Sequence, residues 1–261
     1  MNTKDIILGE KLHHLQCTPE DLGKYVLLPG DPDRVPIIAG YLDDAHFVNQ
    51  SREFNIYTGH LSGETVSVVS TGIGCPSAAI AMEELVRAGA HTFLRVGTCG
   101  CMSPVPRPGD CIIATGAIRR DGTSMQYLPV EFPAVANYEI VSALADSAKE
   151  RGQNNHLGIV ETKDSYYGQH DSDASPISHE LHTKWDAFVR GGAIGSEMES
   201  AILFILGSIY NVRVGSILHV ARNRVYEDMT HTEPVTDFDT RETIDTAILA
   251  FRKLIAQNKE E

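Results

Sequence analysis

The chain has 261 residues and a formal net charge of −13. An acidic balance without a lysine- and arginine-rich run disfavours nucleic acid as a partner, and no apolar run reaches the 18 residues that a membrane-spanning helix needs. The five cysteines form an odd count without CxxC spacing, which predicts reduced thiols rather than a disulfide framework or a zinc site. Because residues 1–10 are polar and lack the apolar region of a signal peptide, we expect a cytoplasmic protein that does not bind a membrane.

Apolar runs punctuated by glycine and proline predict strands that alternate with helices along the whole chain. This order indicates a single α/β domain over residues 1–261, with a mixed and largely parallel central sheet covered by helices on both faces. A hairpin is expected where residues 53–60 pair with 65–71. The predicted strands are 25–29, 65–71, 92–97, 110–116, 156–162 and 213–221, and the predicted helices are 32–42, 76–89, 137–151, 198–210 and 239–257.

Residues 163–180 are polar and irregular, which predicts a loop that is either a substrate flap or disordered. Within this stretch His179-Glu180-Leu181-His182 is one residue short of the HExxH zinc motif. We therefore interpret it as the start of a solvated helix.

The first predicted strand ends in Pro29-Gly30-Asp31-Pro32-Asp33-Arg34. Gly30 has no Cβ, so a backbone N–H there can approach a ligand closely. The guanidinium of Arg34 matches the geometry of a phosphate. The segment thus suggests an oxyanion site at the carboxyl end of a sheet, whereas a surface turn with a solvated arginine is the simpler reading of this segment alone.

Two more glycine-rich segments come after predicted strands. Residues 70–77 lack the third glycine of a dinucleotide fingerprint and are better explained as a close-packed turn or an anion-facing backbone. Residues 94–100 carry Arg95 and Thr98, which could grip phosphate together with Arg34. Convergence of these segments is expected if their strands are neighbours in the sheet.

A fourth segment, Glu197-Met198-Glu199, stands where a strand passes into a helix. The two carboxylates could simply be solvated charges in the first turn of a helix, where the dipole favours them. In a functional reading, one carboxylate binds two vicinal hydroxyls while the methionine packs against a sugar.

Together these segments resemble the nucleoside phosphorylase family. Further stretches, at residues 121–124, 131–135 and 223–224, resemble the branch that acts on uridine. The resemblance extends from about His14 to the C-terminal helix. It implies a partly barrel-like sheet and the phosphorolysis of a nucleoside to a free base and ribose 1-phosphate, with inorganic phosphate as co-substrate and no cofactor required.

The resemblance also implies a role for individual residues. Arg95, Glu199 and Arg224 would be catalytic, and the family is typically a hexamer of dimers in which neighbouring subunits share active sites. By position, phosphate would be bound by Gly30, Arg34, Arg52 from a neighbour, Arg95 and Thr98; ribose by His14 from a neighbour, Glu197, Met198 and Glu199; the base by Cys99, Gln169 and Arg224; and potassium by Glu53, Ile73 and Ser77.

Two positions depart from the family pattern. Asp171 stands where an arginine is usual, two residues after the base-reading glutamine, and Cys99 stands where threonine is usual. A thiol is a weaker hydrogen-bonding partner than a hydroxyl, so the choice of base is open. His170, Arg222 or a water could supply the missing donor to the base.

Alternative functions are a purine nucleoside phosphorylase, a nucleosidase that uses water, and a non-catalytic nucleoside or phosphate sensor. Retention of Arg34 and Arg95 argues against a nucleosidase, which needs no phosphate. Asn223 and Arg224 occupy the region where the purine branch usually has an aspartate, which favours a pyrimidine. A sensor would bind its ligand without turnover.

Overall fold

The chain adopts an α/β fold whose central β-sheet closes into a ring at one end. The computed structural model describes residues 7–8, 11–233 and 239–260, so most of the polar N-terminal segment lies outside the described residues. The strands are β1 (Ile7–Leu8), β2 (Lys11–Leu12), β3 (Tyr25–Pro29), β4 (Asp43–Ser51), β5 (Phe54–Leu61), β6 (Glu64–Val69), β7 (Thr92–Cys101), β8 (Cys111–Arg120), β9 (Ala134–Val135), β10 (Asn155–Lys163), β11 (Gly195–Glu197) and β12 (Arg213–Arg222).

Helices separate most of the strands along the chain. Within the described residues, no helix is both long enough and apolar enough to cross a membrane. The helices are α1 (Arg34–Ala39), α2 (Cys75–Arg87), α3 (Ser124–Tyr127), α4 (Tyr138–Arg151), α5 (Tyr166–His170), α6 (Ser178–Arg190), α7 (Ser200–Tyr210), α8 (Arg224–Thr230) and α9 (Arg241–Glu260).

The main sheet is mixed, with the order β11-β10-β8-β12-β7-β3-β6-β5-β4. An antiparallel pairing of β11 with β7 closes the strands from β11 to β7 into a ring, which confirms the partly barrel-like sheet. The pairs β3–β6, β3–β7 and β12–β7 are parallel. The predicted hairpin is confirmed as the antiparallel pair β5–β6.

Alternation along the strands divides the core between the two faces of the sheet. Val26 and Leu28 of β3 pack into one apolar cluster, whereas Tyr25 and Leu27 pack into the other. Since successive side chains of a strand point to opposite faces, these clusters lie on opposite sides. The first cluster contains residues of α2 and α7, and the second contains residues of α1, α4 and α9. The prediction of helices on both faces is therefore confirmed.

The prediction of an irregular loop over residues 163–180 is wrong. Helix α5 forms directly after β10, and its first turn is capped by the Ser165 hydroxyl, which accepts a hydrogen bond from the Gly168 N–H. Helix α6 begins at Ser178, which agrees with the predicted helix start at His179. Strand β4 and helix α8 were not predicted at all.

All five cysteines are free and buried, which confirms the expected thiols. Burial raises the pKa of the Cys101 and Cys111 thiols to about 12. These side chains therefore remain neutral and serve as small apolar packing residues.

Candidate active site

A cavity of about 950 Å³ opens where several strands end, and it collects most of the predicted residues. We call it the main cavity. Because β3, β6, β7 and β12 run in parallel, their carboxyl ends meet at one edge of the sheet. The residues that line the main cavity include Gly30, Arg34, Glu53, Ile73, Arg95, Thr98, Cys99, Lys163, Tyr166, Tyr167, His170, Ser196, Glu197, Met198, Glu199, Ala221, Arg222 and Arg224.

Arg95 lines the main cavity and is 3 % exposed. Its Nε is 3.0 Å from Glu197 Oε2, and its Nη2 is 2.5 Å from Glu199 Oε2. Burial alone would lower the pKa of Arg95, but Glu199 and Glu197 together hold that pKa above its usual value. The guanidinium is therefore fixed in position and permanently charged.

One nitrogen of Arg95 is left without a protein partner. Within the described residues, Nη1 is buried and makes no hydrogen bond. A Cβ placed on Gly30 would lie 3.9 Å from this atom and 3.9 Å from Arg34 Nη2. Gly30 thus faces two guanidinium groups across a space that a small anion can fill. A buried donor without a partner is costly, so this space favours an acceptor-rich ligand.

Arg34 is the second cation at this end of the main cavity. Burial and, next, the neighbouring Arg95 lower the pKa of Arg34. Its nearest carboxylate oxygen, on Asp31, is 3.9 Å away at a half-exposed position. Two cations beside Gly30, of which Arg34 has no close carboxylate, form a site that attracts an anion.

The turn at residues 70–77 adjoins the main cavity, and its Gly72 and Ile73 line it. Gly74 has a φ of +90°, and its N–H donates a 2.5 Å hydrogen bond to Glu199 Oε1. Gly72 has a φ of +68°, and a Cβ there would lie 2.6 Å from Glu53 Cγ. The anion-facing backbone predicted for this turn therefore faces the carboxylate of Glu199 itself.

Glu197 and Glu199 are buried at the junction between β11 and α7. Glu197 accepts hydrogen bonds from the backbone N–H groups of Glu199 and Ser200 and from the Thr162 hydroxyl. Burial, together with the charge of Glu197, raises the pKa of Glu199, although Arg95 opposes this shift. The interpretation of these residues as solvated first-turn charges is wrong. Glu197 anchors the turn, and Glu199 presents its carboxylate at the cavity.

A second cavity of about 470 Å³, which we call the side pocket, adjoins the main cavity under α5 and α6. Gln169 lines this pocket rather than the main cavity, whereas Arg222 and Arg224 line both. Arg224 Nη1 donates a 3.0 Å hydrogen bond to the His170 carbonyl, which connects α8 to α5. Gln169 therefore belongs to the side pocket, and Arg224 lies where the two cavities adjoin.

An irregularity in β12 brings consecutive residues to this junction. Val220 pairs with Cys99 and Arg222 pairs with Gly100, so Ala221 has no opposing residue on β7. Such a bulge re-aims side chains next to an active site. As a result both Ala221 and Arg222 line the main cavity.

Three predicted residues line neither cavity within the described chain: Ser77, whose hydroxyl donates to Glu53 Oε1, and His14 and Arg52. The lining of the main cavity within the described chain includes neither His14 nor Arg52. The His14 ring is 2.7 Å from Glu84 Oε1 on α2, and Arg52 is an exposed turn residue between β4 and β5 with a φ of +54°. A single copy of this chain therefore does not bring them to its own site.

Sequence reasoning missed a polar cluster at the wall shared by the two cavities. Lys163 Nζ donates a 2.7 Å hydrogen bond to Ser196 Oγ. Glu161 lies 2.8 Å from the same hydroxyl and 2.6 Å from Arg120 Nη1. Alternating charge at the end of a predicted strand, Glu161-Thr162-Lys163, was the available signal.

Comparison with known proteins identifies the family. The model of the phosphorylase superfamily matches residues 24–256. The chain is 45 % identical to a uridine phosphorylase of Treponema pallidum, over 94 % of this chain and 95 % of that protein. It is 35 % identical to a uridine phosphorylase of Escherichia coli, over 93 % of this chain and 97 % of that protein. It is 38 % identical to a guanosine phosphorylase of Halorubrum lacusprofundi, over 82 % of this chain and 85 % of that protein. The chain belongs to the phosphorylase superfamily.

Proposed function

We propose that this protein is a pentosyltransferase that catalyses the reversible phosphorolysis of uridine to uracil and ribose 1-phosphate. The observation that carries the proposal is the buried Arg95, which binds two carboxylates on one side and leaves Nη1 free toward Gly30 and Arg34 on the other. That arrangement offers an anion a site next to Glu199. The similarity to curated uridine phosphorylases over nearly the whole chain supports the choice of nucleoside.

Phosphate would bind between Arg34 and Arg95, with Gly30 and Thr98 closing the site. Breaking the C1′–N1 bond places positive charge on the sugar and negative charge on the base, while a phosphate oxygen forms the new bond to C1′. The arginines hold the nucleophile in line and are already oriented by their surroundings, which lowers the barrier through proximity and electrostatic preorganisation. No protein nucleophile is needed.

Ribose would lie between phosphate and base, against Met198, with its 2′- and 3′-hydroxyls on Glu199. An ionised carboxylate accepts a hydrogen bond from each of the two hydroxyls, and the Gly74 N–H and Arg95 fix its orientation. Glu197 would support this contact through the turn that it anchors. The base would extend past Cys99 toward Gln169 and Arg224.

Replacing Gly30 with alanine tests the phosphate site. The added methyl group would lie in ordinary contact with the Gly72 carbonyl, at 3.5 Å, and between the two guanidinium groups. We expect KM for phosphate to rise roughly tenfold, while KM for uridine and the melting temperature change little, because the methyl fills ligand space and not protein space. Steady-state kinetics with each substrate varied, and with Gly122→Ala as control, measure this. An unchanged KM for phosphate would contradict the assignment.

Arg52, which is exposed, and the partly buried His14 both lie outside the cavities of their own chain, which supports a homo-oligomer, typically a hexamer, in which each residue completes a neighbour's site. If so, Arg52→Ala and Glu199→Ala subunits should complement each other. With random pairing about half of the dimers are mixed, and each mixed dimer has one intact site and one inactive site. About a quarter of the wild-type activity should therefore return. Co-expression followed by an assay of the mixture measures this, and activity no higher than that of the separate parents would contradict site sharing.

Glu53, Ile73 and Ser77 could supply oxygen ligands to a potassium ion. The Ser77 hydroxyl donates a 2.7 Å hydrogen bond to Glu53 Oε1, and this bond lowers the pKa of that carboxyl. A charged carboxylate beside a hydroxyl is a hard-oxygen donor set that fits an alkali cation. The ion would hold the turn at residues 70–77 in place.

The free cysteines support a cytoplasmic location, because reduced thiols are typical of that compartment.

Guanosine is a second candidate substrate. The side pocket extends the space beyond Gln169 and could admit a bicyclic base, and a relative in Halorubrum lacusprofundi is a guanosine phosphorylase. The purine hypothesis predicts turnover of guanosine or inosine that exceeds turnover of uridine.

The proposed function is tested by measuring base release from uridine, thymidine, guanosine, inosine and adenosine, each with and without phosphate. Phosphate-dependent release of uracil is expected. Release that is independent of phosphate would identify a nucleosidase instead. Binding of nucleoside without any release would identify a sensor.

A further inference from the structure

Lys163 stands at the wall shared by the main cavity and the side pocket and lines both of them. It is the last residue of β10 and is 6 % exposed. An ammonium group carries three hydrogen-bond donors, but within the described residues Nζ makes one hydrogen bond, to Ser196 Oγ. A buried ammonium with two donors to spare has capacity for a ligand in the cavity.

The other cations around this end of the cavity are already engaged. Arg222 Nη2 is 2.9 Å from Glu227 Oε2 on α8, and Arg224 donates to the His170 carbonyl. Arg120 lines the side pocket and is paired with Glu161. Lys163 differs from these arginines in its burial, since Arg224 is exposed and Arg120 and Arg222 are only partly buried, whereas Lys163 is buried at the wall of both cavities.

The cluster around Lys163 also connects it to the predicted base-reading residue. The Ser196 hydroxyl accepts a hydrogen bond from Lys163 Nζ and can donate one in turn. Two acceptors compete for that proton, Gln169 Oε1 at 3.0 Å and Glu161 Oε2 at 2.8 Å. If Ser196 donates to Glu161, the Gln169 amide is free to contact a ligand. The lysine and the glutamine thus border the same volume from two sides.

On the basis of the proposed function, we infer that Lys163 is a base-binding residue that donates hydrogen bonds to a carbonyl oxygen of the pyrimidine and stabilises the departing anionic base. As the C1′–N1 bond breaks, its electron pair moves onto the base and spreads over the carbonyl oxygens. Lys163 keeps its proton and meets this charge at an oxygen. A cation placed where charge develops, in a site that excludes water, accelerates the step that creates the charge.

The leaving group provides the test. Lys163→Met removes the charge but keeps a long side chain, and it should lower the single-turnover rate with uridine roughly 100-fold. With 5-fluorouridine the loss should be clearly smaller, because fluorine stabilises the departing anion and reduces the need for the lysine. Lys184→Met, which removes an exposed lysine of α6, is the control. Lys163→Gln provides a second neutral variant if the methionine protein folds poorly.

A purely structural role for Lys163 makes different predictions. If the lysine merely neutralises the buried Glu161, the double variant Lys163→Met/Glu161→Gln should recover activity, and the loss should be equal for both nucleosides. Either result, or an unchanged rate in both single variants, would overturn the inference. Wild-type protein that releases no uracil in the presence of phosphate would instead overturn the proposed function, so the two failures are distinguishable.

Discussion

Replacing Arg95 with methionine is expected to lower kcat/KM for uridine phosphorolysis by about 10³-fold, the largest loss at any single position of the site. Arg95 acts on both sides of the reaction centre. Its free Nη1 faces the proposed phosphate site, and its other nitrogens contact Glu197 and Glu199. Methionine fills part of the same volume without any donor, so it removes the phosphate contact and releases the ribose-binding carboxylate at once.

The same substitution should also destabilise the fold. Removing one partner of a buried ion pair leaves uncompensated charge, which typically costs about 3–5 kcal/mol. Glu199 already has a raised pKa. It is therefore expected to take up a proton in the variant, which limits the loss of stability. Chemical denaturation of the variant measures this cost.

Arg34→Met is the informative comparison. Arg34 lacks a close carboxylate, and its lowered pKa shows that burial and Arg95 disfavour its charge. We expect this variant to lose phosphate affinity while its stability without phosphate is unchanged or higher. Phosphate should raise the melting temperature of the wild type through linkage, and this rise should disappear in both variants. A full thermal shift in Arg95→Met would contradict the phosphate role of Arg95. Arg87→Met, which breaks a partly buried pair on α2 that lines neither cavity, serves as the control.

The sequence predicted the main-cavity residues at the ends of β3 and β7 because buried parallel strands have a local signature. Continuous apolar runs identify them, and the glycine after each run marks the edge of the sheet. That pattern singles out Gly30, Arg34, Arg95 and Thr98. Their convergence in space is harder to predict, because it depends on the order of the strands. The parallel pairing of β3 with β7 brings these residues together.

The relation between Arg95 and the two glutamates could not be read from the sequence. Arg95 and Glu197 are 102 positions apart and meet because β11 closes the ring against β7. That closure depends on a strand of three residues, Gly195–Glu197, which has no apolar periodicity. Ring closure also buries Glu197 beside the start of α7. There its carboxylate accepts hydrogen bonds from backbone N–H groups that have no partner within the helix.

The elements that were missed have weak local signals for physical reasons. Strand β4 is polar and largely exposed, so it shows no apolar alternation. For helix α6 the sequence predicted only the start, at His179, because the helix contains no buried residue in the described chain; Leu181 and Trp185 on it line the side pocket. Without a buried stripe, helix and loop look alike in such a segment. Lys163 was missed because a charged residue at the end of a strand is usually solvated.

Glu199→Gln is expected to lower kcat/KM for uridine about 10²-fold, and here the substrate itself provides the control. Glutamine keeps the size of the side chain but loses the charge, and its amide cannot accept at both ends from the Gly74 N–H and from Arg95, as the carboxylate does. If Glu199 binds the ribose hydroxyls, the variant should lose less with 2′-deoxyuridine, which lacks one of them. Glu242→Gln, at an exposed pair on α9, should behave as wild type.

The two readouts for Glu199 separate sugar recognition from the support of Arg95. A glutamate that only positions Arg95 would affect uridine and 2′-deoxyuridine equally and would chiefly raise KM for phosphate. A glutamate that binds the ribose diol would instead change the ratio of kcat/KM for the two nucleosides. Glu199 is where the Gly74 turn, Arg95 and the start of α7 meet, so the ratio tests the sugar contact at this junction. An unchanged ratio would place the sugar contact on another residue.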